Sequence, residues 1–147
     1  MSFTKIWIHL VWATKKREPV LIKPVRKKLF PHIWENGREK NIHIDFVNGY
    51  IDHVHVLLSL EANQSISKIT QLIKGESAYW INKNNLTPVK FEWQDDYFAV
   101  SVSESHVNKV RNYIRNQEKH HETKTFQQEH DEFIARYGFV MMQDTPG

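Results

Sequence analysis

The chain contains no cysteine, which excludes a disulfide framework and any thiolate metal site. Glycine and proline are scarce, five of each in 147 residues, and the chain shows no repeat, low-complexity segment or convincing linker. Long apolar runs are missing as well. The N-terminal stretch Ile6 to Ala13 is short and interrupted by His9, so it predicts neither a signal peptide nor a membrane span. A cytoplasmic protein is expected. A large excess of one charge is also absent: Lys and Arg number 20 against 17 Asp and Glu, for a net charge of +3. The sequence pI of about 9.1 permits an anionic partner such as nucleic acid without demanding one. The clusters Lys15-Lys16-Arg17 and Arg26-Lys27-Lys28, taken singly, read as solvated surface.

Histidine, by contrast, is plentiful, with nine residues. Two of them sit in Asp52-His53-Val54-His55-Val56-Leu57-Leu58-Ser59-Leu60, a run of branched and apolar residues that predicts a strand. The period of 2 puts His53, His55, Leu57 and Ser59 on one face and Val54, Val56, Leu58 and Leu60 on the other. The apolar face requires a core. The other face presents two imidazoles able to converge on one divalent cation. At this histidine content chance alone supplies roughly half of one His-x-His pair, so the pair needs support from the rest of the chain.

That support comes from the order of elements. Phe3 to Thr14 reads as a first strand, with Ile6, Ile8, Leu10 and Trp12 alternating with Trp7, His9, Val11 and Ala13. A helix follows, with Pro24 in its first turn, Val25, Leu29 and Ile33 on one face, and Gly37 as its stop. Pro31 is expected to kink or shorten it. Asn41 to Val47 is a second strand, facing Ile42, Ile44 and Phe46 one way and His43 and Asp45 the other. Asn48-Gly49 then signals a turn into the histidine strand. Ser65 can cap a second helix reaching about Asn82, with Ile66, Ile69, Leu72, Ile73 and Trp80 as its stripe. Tyr97 to Ser103 is a fourth strand, with Phe98, Val100 and Val102 on its apolar side.

The order β-α-β-β-α-β predicts an α+β fold of the ferredoxin-like, RRM-like kind: a four-stranded antiparallel sheet with two helices on one face. The first and third strands should be central, setting His9 beside His53 and His55. The open face should gather His43, Asp45, Ser59, Tyr97 and Ser101 as well. A third helix, capped by Ser103 or Ser105, should run to about His120, and Thr125-x-x-Gln128 should cap a last one ending near Tyr137-Gly138. The tail Met141 to Gly147 is expected to be loose. One domain spans 1–147, with the sheet and two helices over about 1–104 and the tyrosine helix and C-terminal helix over about 105–140.

The third helix carries Tyr113, Gln117 and His121 at four-residue intervals, on one face. Laid on the open sheet face, Gln117 can offer its amide oxygen as a third metal ligand, and Tyr113 sets a phenol beside the metal. A phenol is a poor nucleophile unless a cation polarises its electrophile, for which a phosphodiester is the natural choice.

Three segments now carry a resemblance: Asp52 to Leu58, Trp93-Gln94 through Tyr97 to Ser103, and Tyr113-Ile114-Arg115-Asn116-Gln117 followed by His120-His121 and Phe126. Together they resemble the single-tyrosine HUH transposases of bacterial insertion sequences, over nearly the whole chain. The resemblance implies a metal-dependent DNA strand transferase in which His53, His55 and Gln117 bind Mg²⁺ or Mn²⁺ and Tyr113 is the nucleophile. It implies a 5′-phosphotyrosine intermediate with release of a 3′-OH. It further implies single-stranded DNA with hairpin ends as partner, and a homodimer in which one subunit's tyrosine helix can complete the other's site. Asp96 departs from the glycine that many members carry before the position of Tyr97.

His9 and His121 are candidates for contacts behind the ligands or to substrate. Asp52, which strand alternation points to the opposite face, is a candidate for a turn residue or a contact behind the ligands and not for a ligand. Lys15, Lys16, Arg17, Lys74, Arg111 and Arg115 are candidates for DNA phosphates. Mn²⁺ suits a mixed nitrogen and oxygen site better than Mg²⁺. The alternatives are a domesticated hairpin-binding or nicking relative, an RRM-like single-strand binder, and a hydrolase using water. The RRM-like reading lacks the aromatic signature on the central strands.

Overall fold

The computed structural model describes residues 3–122 and 124–137. The predicted tail from Met141 lies outside them, as does Gly138. Four strands form one antiparallel sheet: β1 (Ile6–Ala13), β2 (His43–Tyr50), β3 (His53–Leu60) and β4 (Phe98–Val102), in the order β2-β3-β1-β4. The fold is the expected α+β arrangement with β1 and β3 central. Helices α1 (Lys23–Glu39) and α2 (Ile66–Lys83) cover one face. Helices α3 (Val107–Arg115), α4 (Gln117–His120) and α5 (Phe126–Tyr137) follow β4.

The main core forms where alternation meets those two helices. Ile8, Leu10 and Trp12 of β1 and Val54, Val56 and Leu58 of β3 pack with Leu29 and Ile33 of α1 and Ile69 and Ile73 of α2. Ser65 caps α2, its hydroxyl accepting from the Lys68 N–H at 3.2 Å. Trp93 is buried in this core and donates to Ser77 Oγ at 3.0 Å, while Trp80 stacks on His32.

Several local expectations are corrected. Pro31 does not shorten α1: it lies on the exposed face, so the bond it removes falls where water can serve the freed carbonyl. Gly37 is not the stop. The helix runs on to Glu39 and is closed off by Asn41, which adopts φ 59°, with Ile42 N–H donating to Gly37 O at 2.8 Å and Asn41 N–H to Arg38 O at 3.2 Å. Gly37 instead admits Ile44, whose Cδ1 would stand 2.6 Å from an added Cβ.

Asn48-Gly49 is not the hairpin turn. Both residues belong to β2, and the turn falls at Ile51-Asp52. A Cβ on Gly49 would meet the His53 carbonyl oxygen at 2.2 Å, so glycine is needed for close approach within the ladder. A bulge between Ile44 and Phe46 turns Phe46 away from the main core. Strand β4 is likewise reversed. Val100 pairs with His9 and Phe98 with Val11, so Phe98, Val100 and Val102 share the histidine face, whereas Tyr97 and Ser101 do not.

The histidine face therefore carries a second, smaller core. Leu57 and Val102 pack there with Val107 and Ile114 of α3, and Phe46 and Val110 lie against them. The third predicted helix is broken at Asn116 (φ −94°, ψ 23°), which divides α3 from α4. Neither Ser103 nor Ser105 caps it through a hydroxyl: Ser103 Oγ lies 2.6 Å from His106 Nδ1 instead. The capping box of α5 does form, with Thr125 N–H donating to Gln128 Oε1 at 2.8 Å and Gln128 N–H to Thr125 Oγ1 at 3.2 Å.

Candidate active site

The strand pairing brings three imidazoles together. His9 and His55, on adjacent central strands, share a hydrogen bond between Nε2 and Nδ1 of 2.8 Å. His53 sits one pleat along, and all three rings are buried. Asp52, in the turn, accepts from His53 Nδ1–H at 2.8 Å. That bond fixes the tautomer and aims Nε2 at the face where the helices lie.

Helices α3 and α4 then deliver the tyrosine and the glutamine. Ile114 anchors α3 in the small core, and the amide of Asn48 donates to the carbonyls of Ile114 and Arg115 at 2.9 and 3.1 Å. The clasp satisfies carbonyls that α3 leaves open where it breaks. Tyr113 consequently stands edge-on to His55, with ring centroids 5.8 Å apart, and to His9 at 6.2 Å. Gln117, fully buried, sets its Oε1 3.0 Å from His53 Nε2. His121 follows, stacked on Tyr50, with its Nδ1–H donating to Lys124 O at 2.6 Å.

The residue that the sequence did not single out is Glu129, on the first turn of α5. It is buried at the centre of the cluster. Its Oε1 lies 3.2 Å from Nε2 of both His53 and His55 and 3.4 Å from His121 Nε2. Its Oε2 accepts from Tyr113 O–H, and from Gln117 Nε2 at 3.1 Å, with His120 Nε2 3.3 Å away. Phe126 holds α5 in place, packing against Val11, Ala13 and Phe98, with its ring 4.4 Å from that of His53.

The electrostatics follow from this carboxylate in a dry site. Burial opposes ionisation of Glu129, but hydrogen bonds with His121, His53 and His55 outweigh it and hold the carboxyl well below the usual carboxylate range. Burial likewise opposes a charged His53, yet Asp52 and Glu129 together raise its pKa to about 9. For His55 burial prevails and the pKa falls to about 4. His9 is pushed well down by burial and by His55. The Tyr113 phenol is pushed up by burial and then by the Glu129 charge.

The donor chemistry fits a divalent cation. Among the described residues, His53, His55 and Glu129 each place one potential ligand atom within 4.8 Å of the others, and His120, His121 and Glu129 form a second such group. A cleft of about 520 Å³ opens beside Tyr113, bounded by Ser101, Ser103, His106, Lys109 and Lys124.

The cationic candidates lie outside this cluster. Lys15 pairs with Glu92 at 3.0 Å. Lys16 and Arg17 both take left-handed backbone, at φ 56° and 53°, and the Arg17 guanidinium lies 5.3 Å over Phe126. Lys74 donates to the carbonyls of Gln94 and Asp95 at 2.6 and 2.9 Å. Arg111 grips Asp45 through two bonds of 2.8 and 2.9 Å, and Arg115 lies over Phe46 at 5.6 Å. No helix among the described residues is long and apolar enough to cross a membrane.

Comparison with known proteins agrees with this architecture. The sequence profile of the IS200-like transposases matches residues 2–117. The ISDra2 transposase TnpA of Deinococcus radiodurans is 29% identical over 115 residues, covering 74% of this chain and 81% of the relative. A crystal structure described as a transposase from D. radiodurans R1 superposes with a TM-score of 0.64 at 26% identity, over 79% of this chain and 93% of the other. A REP-associated tyrosine transposase bound to a REP hairpin shares the fold, with a TM-score of 0.62 at 15% identity, over 82% of this chain and 72% of that one. The molecule is thus of the single-tyrosine HUH transposase class. The chain belongs to the IS200-like transposase family, and a DNA transposase function goes with that membership.

Proposed function

We propose that this protein cleaves and rejoins single-stranded DNA through a covalent 5′-phosphotyrosine on Tyr113. The observation that carries the reading is the placement of the Tyr113 hydroxyl on the carboxylate that both His53 and His55 also touch. The nucleophile and the metal-binding imidazoles then meet in one buried cluster, beside an open cleft.

His53, His55 and Gln117 would hold Mg²⁺ or Mn²⁺. Such an ion, when bound, polarises a phosphodiester oxygen and stabilises the charge that develops there. Asp52 keeps a proton on His53 Nδ1 so that Nε2 is the atom offered. His9, whose Nε2 lies 2.8 Å from His55 Nδ1, would do the same for His55 by accepting its Nδ1–H once the ion takes Nε2. Tyr113 attacks the phosphorus, a bond from its oxygen to phosphorus forms, and the bond from phosphorus to the 3′-oxygen breaks. The proton lost by Tyr113 balances the one gained by the departing 3′-OH. In the joining step a second 3′-OH attacks the same phosphorus, and Tyr113 leaves and regains a proton. Energy is conserved in the phosphotyrosine, so no nucleotide cofactor is required. His121 aligns the Glu129 side of the cluster. Of the cationic candidates Lys15, Lys16, Arg17, Lys74, Arg111 and Arg115, the adjacent Lys16 and Arg17 are the ones placed at the Phe126 rim to meet DNA phosphates.

The substrate in this reading is a hairpin-ended single strand; the protein of shared fold is bound to a REP hairpin. The sheet layer of about 1–104 and the helical layer of about 105–140 act as one domain, in a cytoplasmic homodimer. The test is to incubate labelled hairpin DNA with the protein and Mn²⁺ and run denaturing protein gels. Label that stays with the protein, requires metal and vanishes in Tyr113→Phe is the expected result. Cleavage without an adduct that survives Tyr113→Phe would establish hydrolysis by water, and binding without cleavage a hairpin-binding module.

A further inference from the structure

A cation held by His53, His55 and Gln117 alone would have only neutral donors, whereas hard divalent ions favour anionic oxygen. The nearest anionic oxygen comes from a different element. Glu129 Oε1 stands 3.2 Å from Nε2 of His53 and from Nε2 of His55, and Gln117 Oε1 stands 3.0 Å from His53 Nε2. Neighbouring ligands of a six-coordinate ion with bonds of about 2.1 Å lie about 3.0 Å apart, so these separations have the length of edges in one coordination shell.

The tautomers point the same way. With Nδ1–H given to Asp52, His53 sets Nε2 against two oxygen acceptors, Gln117 Oε1 and Glu129 Oε1, a place that a proton fills in the empty site and a cation can take in its stead. The companion group suits an ion less well. His120 and His121 stand 3.3 and 3.4 Å from Glu129, and Lys124, which lines the same cleft as His120, brings a positive charge nearby.

We propose that Glu129 of α5 is the anionic ligand of the cation held by His53 and His55, so that binding the cation and docking α5 on the sheet are one event. This rests on the reading of His53 and His55 as cation ligands. Glu129 also fixes Gln117, accepting from its Nε2 while its Oε1 faces His53, so one carboxylate sets two of the donors. Besides Glu129, the described residues of α5 that meet the histidine face are Phe126, packed on Val11, Ala13 and Phe98, and His130, whose ring lies 4.4 Å from that of Phe98.

The experiment titrates Mn²⁺ into the full chain and into Glu129→Gln, Glu129→Asp and His53→Ala, reading free Mn²⁺ by electron paramagnetic resonance. Amide exchange over residues 126–137 is followed with and without Mn²⁺. Wild type should bind and His53→Ala should not. Glu129→Gln, nearly isosteric, should weaken binding by at least about tenfold, and Glu129→Asp by less, because it keeps the charge. Mn²⁺ should slow α5 exchange in wild type and leave it unchanged in Glu129→Gln. Affinity in Glu129→Gln within twofold of wild type would overturn the ligand assignment and leave Glu129 as an ion-pair partner of the histidines. Exchange in wild type indifferent to Mn²⁺ would overturn the coupling. Failure of wild type itself to bind Mn²⁺ would remove the cation reading along with this one.

Discussion

Asp52 shows how much of a site a single neighbour can decide. It lies outside the strand alternation, in the turn, and its carboxylate takes the Nδ1–H of His53. Without it the imidazole is free to exchange tautomers and rotate, and Nε2 is no longer committed to the cluster. Losing such an outer partner typically costs 10–100-fold in metal affinity. Asp52→Ala should therefore weaken Mn²⁺ binding by about that factor while far-UV circular dichroism stays that of the wild type. An unchanged titration would show that Gln117 and the surrounding packing suffice to orient the ring. Asp52 and the His53, His55 pair were legible in the sequence because each depends on one strand and its turn. Glu129 was not, since it stands 74 positions from His55 and is called into the site only by how α5 docks. The local signal, Thr125-x-x-Gln128 with Phe126, fixes where α5 begins but does not show which of its faces is buried.

At the scale of elements, the β2-β3 hairpin carries the site, and its register depends on two features that period-2 reading misjudges. The bulge at Asp45 reverses the faces beyond it, so Phe46 joins the small core under α3 and Asn48 points at the end of that helix. An Asn-Gly pair is ordinarily a turn signal, but here Asn48 clasps α3 and Gly49 lets two backbones approach. Strand order, central positions and the apolar faces of β1 and β3 could be read from composition and alternation, because burial on one face forces them. Bulges leave no such trace. Gly49→Ala tests the point. Its Cβ would fall 2.2 Å from the His53 carbonyl oxygen, a backbone atom that cannot swing aside. Strain of about 1–3 kcal/mol is expected, toward the upper end. Urea denaturation should show a lower midpoint with an unchanged slope, and DNA cleavage should fall further than stability because His53 is displaced. Ala at 49 with wild-type stability would mean that the hairpin can shift its turn.

For the whole molecule, the charge distribution matters more than the net +3. Three of the cationic candidates are engaged within the fold. Lys15 faces Glu92, Arg111 is forked onto Asp45, and Lys74 caps the carbonyls of the loop before β4. An exposed pair such as Lys15 with Glu92 is worth little to stability and is easily exchanged for a phosphate, whereas the Arg111 fork spends its directed donors on Asp45. Lys16 and Arg17 differ. Two successive non-glycine residues in left-handed backbone cost of order 1–3 kcal/mol each, and such strain is typically retained where function uses it. The turn they form adjoins Phe126, which touches His53, so it lies at the rim of the cluster. A strand reaching Tyr113 past this rim would meet both cations. Each phosphate neutralised on single-stranded DNA contributes about 0.7 to the fall of log K with log salt. Lys16→Ala combined with Arg17→Ala should therefore flatten that slope by about 1.4, measured by fluorescence anisotropy between 50 and 200 mM salt. Lys74→Ala should leave the slope unchanged and lower thermal stability instead, because it uncaps three consecutive carbonyls, those of Gln94, Asp95 and Asp96. A slope that responds to Lys74 and not to the pair would place the DNA path along the loop before β4 and away from the Phe126 rim.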